Sequence, residues 1–287
     1  MDRDILGLIE ENMRTFSKGQ KKIANFILES YDKAAFMTAG RLGKKVGVSE
    51  STVVRFASEL GYNGYPDMQK SLQKMIRNRL TAVQRIEVSN DRLGDKDIIT
   101  AVLQSDIEKI RLTLEEQDHA IFDKTVDAIT EARKIYVTGA RSAASIASFL
   151  SFYLRLILNN VVEITANSSN EIFEDLLRVG PEDVVLGISF PRYSSRTVQA
   201  LSFAHSRGAV TIAITDSNSS PLTRYADYTL TARSDMASFV DSLVAPLSLI
   251  NALLVAVSRK KNDDLESTFQ KLEDIWDKYG IYEMAEK

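Results

Sequence analysis

Five short runs rich in β-branched residues punctuate the chain between residues 135 and 231: IYVT (135–138), VVEI (161–164), VVLGIS (184–189), VTIAIT (210–215) and YTLT (228–231). Stretches with helical spacing separate them. Two parallel strands cannot be joined by a tight turn; they need a crossover, which a helix supplies. Strand and helix alternating at this spacing predict an α/β domain with a five-stranded parallel sheet, covered on both faces. Ligands in such folds lie beyond the carboxyl ends of the strands, so the chemistry is sought in the loops that follow each run.

The first eighty residues follow another rule. Helical periodicity predicts helices over Ile5 to Asn12, Gly19 to Glu29, Thr38 to Lys45, Glu50 to Leu60 and Tyr65 to Arg77, with no period-2 alternation between them. Charge divides at the same place: residues 1–85 hold 15 basic and 9 acidic side chains, and the remainder holds 21 and 30. A small basic module joined to a larger acidic one suggests that the former meets a polyanion. Between them, Arg79 to Asp97 loses apolar periodicity and reads as a linker. A helix with an apolar stripe at Leu103, Ile107, Ile110 and Leu114 follows, expected to pack on the second domain or on another subunit.

Within the basic module, Leu42 and Val46 lie four apart, Gly47 breaks the helix, Val48 follows, and Val53, Phe56 and Leu60 recur at helical spacing. These residues can close one small core between two helices joined by a tight turn, with Gly47 where positive φ is cheap and Ser49 as N-cap. The outward positions at the start of the second helix are then Glu50, Ser51, Thr52 and Arg55. A helix entering the major groove presents such residues to base edges. We take Ser49, Ser51, Thr52 and Arg55 as candidate DNA contacts, with Arg41, Lys44 and Lys45 on the preceding helix placed to neutralise phosphates. Lys18, Lys21 and Lys22 are further candidates.

Two loops of the second domain have the chemistry of an anion site. Gly139-Ala140-Arg141-Ser142 follows IYVT and opens a helix; backbone N–H groups there, with the Ser142 hydroxyl, can hold an anionic or hydroxylated ligand. Ser189-Phe190-Pro191-Arg192-Tyr193-Ser194 follows VVLGI and leads into a helix ending at Ser206, combining hydroxyls with a fixed cation. The bland reading of Ser142 and Ser194 is that each is only an N-cap. The candidate effector contacts are Gly139, Arg141, Ser142, Ser189, Arg192, Tyr193 and Ser194.

The run VSESTVVRFASELGYNGYPDMQKSL, Val48 to Leu72, resembles the helix-turn-helix signature of RpiR-type bacterial transcriptional regulators, V-S-x-x-T-V-x-R-F followed by L-G-Y. That family joins such a domain to a sugar isomerase (SIS) domain. Residues 125–260 resemble the latter through the two loops, VTIAITD ending at Asp216, and SSPL at Ser219 to Leu222. The resemblance implies a flavodoxin-like sheet and a phosphosugar ligand, held in the family by a second loop reading S-x-S-G-x-T or S. Ser189 and Ser194 match that pattern; Pro191 and Arg192 depart from it. Arg192 keeps an anionic ligand in view while opening the choice to a sugar acid or another phosphorylated metabolite.

The expected architecture is an all-α helix-turn-helix domain (1–78), a linker and connecting helix (79–119), a SIS domain (120–265) and a C-terminal helical tail (266–287). The expected function is a DNA-binding regulator of carbohydrate genes that senses a sugar-derived anion, without cofactor, acting as a homodimer or higher homo-oligomer. Zero cysteines exclude disulfides and thiolate zinc sites, and His119 and His205 are too few for a multi-histidine metal site. The start, Met1-Asp2-Arg3-Asp4, lacks a signal peptide, which points to the cytoplasm. Ser242 to Ser258 is 17 residues without a charge, but it holds Pro246, Asn251 and three serines and reads as a core or interface helix rather than a membrane span. The rival reading is a sugar-phosphate isomerase with an accessory module, for which Glu171 and His205 are the candidate bases. A pure interaction scaffold would leave both loops without a role.

Overall fold

Helices alone close the core of the first of two units into which the chain divides, residues 1–103 with 236–241. The computed structural model describes residues 5–76, 81, 83–86, 97–165, 169–234 and 240–282. The helices are α1 (Ile5–Asn12), α2 (Lys18–Glu29), a single turn α3 (Tyr31–Ala34), α4 (Ala39–Val46), α5 (Glu50–Glu59) and α6 (Tyr65–Ile76). Their starts follow from local chemistry. Ser17 and Gln20 cap α2 reciprocally, Thr38 accepts from Arg41 N–H at the start of α4, and Ser49 accepts from Thr52 N–H at the start of α5. Ile5, Ile9, Ile23, Ile27, Leu42, Val53, Phe56, Met68 and Leu72 are buried in one cluster. Phe16 and Phe56 meet at 5.0 Å between ring centroids. Each such side chain contributes about 1.5–3 kcal/mol by leaving water. Most of the expected linker lies outside the described residues. Its residues 83–86 form a helical turn whose Arg85 is buried and paired with Asp241 at 2.7 Å.

Residues 104–235 with 242–287 form the second unit. After α7 (Ile98–Glu115) and α8 (His119–Glu131) come β1 (Lys134–Gly139), α9 (Ser142–Ile157), β2 (Val161–Ile164), α10 (Ser169–Asp175) and β3 (Asp183–Ile188). Then follow α11 (Ser195–Ser206), β4 (Val210–Thr215), a 3-10 turn (Pro221–Tyr225), β5 (Tyr228–Thr231), α12 (Val244–Lys260) and α13 (Asn262–Tyr279). The five strands are all parallel in the order β2-β1-β3-β4-β5. Period-2 alternation sorts their side chains between two cores. Ile135, Val137, Val184, Leu186, Ile188, Ile212 and Ile214 meet α8, α9 and α12, whereas Tyr136, Val185 and Ala213 meet α10 and α11.

The order places β1 between β2 and β3, so the helices after β1 and β3 depart to opposite faces and leave a crevice at the carboxyl ends of these two strands. The uncharged segment is the core helix α12, with Ala245, Pro246, Leu249, Ile250, Leu253, Leu254 and Val257 buried. Among the described residues, no helix is long and apolar enough to cross a membrane.

One of the two settings expected for the stripe of α7 is not found. Leu103, Ile107 and Leu114 are 57%, 66% and 67% exposed, and Ile110 is exposed too, so the stripe does not pack on the second domain. The buried residues of α7 are instead Lys109 and Thr113. Lys109 Nζ donates to Ser105 Oγ and pairs with Asp106, which accepts from Ser242 Oγ at 2.7 Å; Thr113 Oγ1 accepts from Arg233 N–H at 2.9 Å. A polar seam holds this helix where its periodicity predicts an apolar one.

Candidate functional site

The turn between α4 and α5 is built from the backbone up. Gly47 ends α4 with φ 71° and ψ 45°, the left-handed conformation that glycine adopts without steric cost, and Val48 N–H returns to Gly43 O at 2.9 Å. Gly43 is a second requirement that sequence reasoning missed. A Cβ there would stand 2.8 Å from Val48 O, so the helices cross at a distance only glycine permits. The signal for it was a glycine inside a helical pattern.

On the surface so formed, Arg41, Lys44, Lys45, Ser49, Ser51 and Arg55 are all exposed. The hydroxyls of Ser49, Ser51 and Thr52 cluster, with Ser49 Oγ 2.9 Å from Ser51 Oγ and 2.8 Å from Thr52 Oγ1. Arg55 Nε rests 3.4 Å from Ser51 O, leaving its two terminal amino groups to reach outward. Lys22 Nζ lies close to the turn at Gly47, which joins α2 to the same surface. Two expected outward residues are less free. The Thr52 methyl packs toward Gly19 of α2, and the Glu50 carboxylate lies against Gly40 of α4. In their place Val54, 40% exposed and unnoticed in the sequence, shares the outer face with Ser51, Arg55 and Ser58. A helix carrying hydroxyls, one apolar branch and a guanidinium, ringed by lysines, can read base edges and neutralise phosphates together.

The second constellation lies at the crevice. Gly139 and Ile188, the last residues of β1 and β3, are register partners, so the two loops start side by side. Gly139 is required by its own helix: a Cβ would fall 2.7 Å from Ala143 O. The close approach is therefore internal. Arg141 occupies the N-cap position of α9 at φ 58° and ψ −127° and makes no side-chain cap, while Ser142 is the first helical residue and exposed. Ser142 is thus not the N-cap of α9. Backbone N–H groups at that helix start have no side-chain acceptor from the N-cap.

Ser194 does cap α11, accepting from Thr197 N–H at 3.4 Å, and its own N–H donates to Ser189 Oγ at 3.0 Å. Each hydroxyl accepts from a backbone N–H and keeps its own hydrogen to donate, which suits an anion. The Thr197 hydroxyl, 1% exposed, has no hydrogen-bond partner. Arg192, exposed, has φ 60°, and Tyr193 donates to Asp216 Oδ1 at 2.7 Å, tying the loop to the end of β4. Thr215 Oγ1 donates to Ser189 O at 2.8 Å and stands 2.8 Å from Ser220 Oγ. Thr215, Asp216 and Ser220 are supporting residues whose role is invisible without the pairing of β3 with β4. Among the described residues, no group of three or more His, Asp or Glu is arranged to hold a metal ion.

The isomerase candidates stand on two helices that meet through Phe173 and Phe203, 5.3 Å between ring centroids. His205 lies in the last turn of α11, roughly 16 Å along the helix from Ser194, whereas Glu171 is exposed in the first turn of α10.

Comparison with known proteins bears on both constellations. Residues 3–79 match the family described as helix-turn-helix domain, rpiR family, and residues 128–256 match the SIS domain. An uncharacterised HTH-type transcriptional regulator of Clostridium perfringens is 24% identical over 261 residues, covering 89% of this chain and 92% of its own. Another, from Caldanaerobacter subterraneus, is 23% identical over 280 residues, covering 95% and 96%. Among solved structures, the sugar isomerase domain of an RpiR transcription factor from Sphaerobacter thermophilus superposes with a TM-score of 0.58 at 28% identity, over 61% of this chain and 97% of that one. The Vibrio vulnificus NanR protein, complexed with ManNAc-6P, superposes with a TM-score of 0.59 at 21% identity over 99% and 100%, a likeness of fold.

Proposed function

This chain joins an rpiR-family helix-turn-helix domain to a SIS domain, the make-up of RpiR-type transcriptional regulators, and we propose that it controls carbohydrate genes by coupling operator binding to a sugar-derived anion. The observation that carries the DNA-binding half is the exposed start of α5, with Ser51 and Arg55 outward and Arg41, Lys44 and Lys45 beside them. What supports the effector half is the pair of loops at the crevice, where Arg141, Ser142, Ser189, Arg192, Tyr193 and Ser194 offer N–H donors, hydroxyls and two guanidiniums to one ligand. The likeness to a protein whose structure holds ManNAc-6P supports a phosphorylated sugar as its class.

The mechanism is linkage. An effector that binds one arrangement of the protein better shifts the population toward it and changes DNA affinity by the same factor. No turnover is required of it, and none of its residues is assigned a catalytic role. It acts in the cytoplasm as a homodimer or larger assembly, because one helix-turn-helix reads few base pairs; the exposed stripe of α7 is the surface offered to a second subunit. The test is a salt-controlled titration of duplexes selected from a random pool by the full-length protein. Arg55→Ala is expected to weaken binding by about 1–3 kcal/mol. Ser194→Ala is expected to abolish the response to the effector with DNA affinity intact. Failure to enrich any sequence refutes the DNA-binding reading, and a normal dose response in Ser194→Ala refutes the effector site.

A further inference from the structure

Among the described residues from 5 to 75, Val54 is the only large apolar side chain that is exposed, at 40%. It stands outside the cluster that closes the helical core, in which Val53, Phe56 and Ala57 of the same helix are buried. Single exposed apolar residues are ordinary on a protein surface. The place of this one is not. Val54, Arg55 and Ser58 follow Ser51 by three, four and seven residues, spacings that fall on one side of a helix, and all four are exposed on the outer face of α5.

The helix gains little from valine here. A β-branched side chain is a poorer helix former than alanine, leucine, lysine or glutamate, and the part of it that faces water contributes nothing by burial. In the V-S-x-x-T-V-x-R-F run that this stretch resembles, Ser49 is the cap, Val53 and Phe56 belong to the core, and residue 54 is one of three open positions. Of the other two, Glu50 lies against Gly40, so Ser51 and Val54 are the open positions left to face outward. The hydroxyls beside Val54 are engaged on their own helix: Ser58 Oγ donates to Val54 O at 3.3 Å, and Ser51 Oγ stands 2.9 Å from Ser49 Oγ. The valine methyls form the apolar centre of an otherwise polar face.

In the major groove the base pairs differ in their donors and acceptors, but only one apolar group lies on a base edge, the C5 methyl of thymine. We propose that Val54 is a specificity-determining residue that packs on the methyl of a thymine in the operator, next to the base pair approached by Arg55. This rests on α5 being the helix that enters the groove. It adds a requirement for one base that serine hydroxyls, able to give or take a hydrogen bond, do not impose.

The experiment uses the full-length protein and the duplexes it selects from a random pool, with each thymidine of the enriched site replaced in turn by deoxyuridine, which lacks only the methyl. Binding is titrated at fixed salt, because the phosphate contribution changes with it. At one thymidine the replacement is expected to weaken binding about fourfold, the factor that corresponds to burying one methyl group. Val54→Ala should fold as the parent does, since the position is exposed and alanine favours a helix. It is expected to bind the thymidine and deoxyuridine duplexes equally, a loss of coupling between one side chain and one methyl that a merely structural role would not produce. An enriched site without thymine, a site in which no thymidine is sensitive to loss of its methyl, or the same sensitivity in Val54→Ala overturns the proposal and leaves DNA binding by α5 standing. If no sequence is enriched, the DNA-binding reading itself falls.

Discussion

Replacing Gly43 by alanine sets two effects of opposite sign against each other, and the geometry of the turn decides between them. Inside a helix, alanine is favoured over glycine by about 1 kcal/mol. At Gly43, however, the new methyl would lie 2.8 Å from Val48 O and 3.4 Å from Glu50 N and Ser49 C. All three are backbone atoms, two of them in the residues that enter α5, and none can rotate away. Relief requires the turn to move by about half an ångström, and overpacking of this kind costs about 1–3 kcal/mol. The net expectation is a loss of up to about 2 kcal/mol, which lowers the melting temperature of a domain this size by up to roughly 16 °C. Because the displaced atoms carry Ser49 and Glu50, DNA affinity should fall at least about tenfold at temperatures where the variant is still folded, since a small misplacement removes several contacts together. The control is Gly180→Ala, where a Cβ meets nothing within 4 Å; it should be neutral or stabilising by about 0.4–1 kcal/mol. Urea titration and a salt-controlled DNA titration of both variants provide the measurement. A Gly43→Ala protein that is more stable than the parent and binds DNA equally well would refute the close crossing of α4 and α5.

Two further outcomes follow from buried groups. Burial pushes the Tyr65 phenol up from its ordinary 10.0 to about 12, and its hydroxyl donates to Met37 O at 2.7 Å. The raised value means that its stabilising share is whole below pH 10.0 and is lost as pH climbs toward about 12, roughly 2–3 kcal/mol in all. Urea midpoints of the parent and Tyr65→Phe between pH 9 and 12 should therefore converge, and parallel curves would show that the phenol does not ionise with unfolding. At the amino edge of the sheet, Asp183 is 0% exposed, accepts from Gly180 N–H, and pairs with Arg133 at 2.6 Å. Arg133→Ala should cost about 1–3 kcal/mol by leaving that carboxylate without its counter-charge, whereas Asp183→Asn with Arg133→Ala should recover part of it; a single variant as stable as the parent would contradict this.

Much of the architecture is legible in residue spacing. The runs at 161–164, 210–215 and 228–231 are strands with those same limits, because runs rich in β-branched residues fit the pleated backbone. The turn at Gly47 and the cap at Ser49 were equally readable, since positive φ and an unpaired N–H at a helix start are local demands. The seam of α7 was not. Its apolar stripe has the spacing of a packing face, yet Lys109 and Thr113 are the residues buried, because their partners Asp106, Ser242 and Arg233 come together only after folding.

The amino-acid order by itself determined which segments become helix or strand, where charge collects and which loops carry hydroxyls and arginines, all of them consequences of interactions within a few residues. Only the tertiary structure decided that β1 and β3 lie side by side, that Tyr193 ties to Asp216, that Gly43 must have no side chain, and that Arg141 and Arg192 both sit in strained backbone. Those facts depend on atoms far apart in the chain being brought within a few ångströms of one another, and nothing in local spacing records such distances.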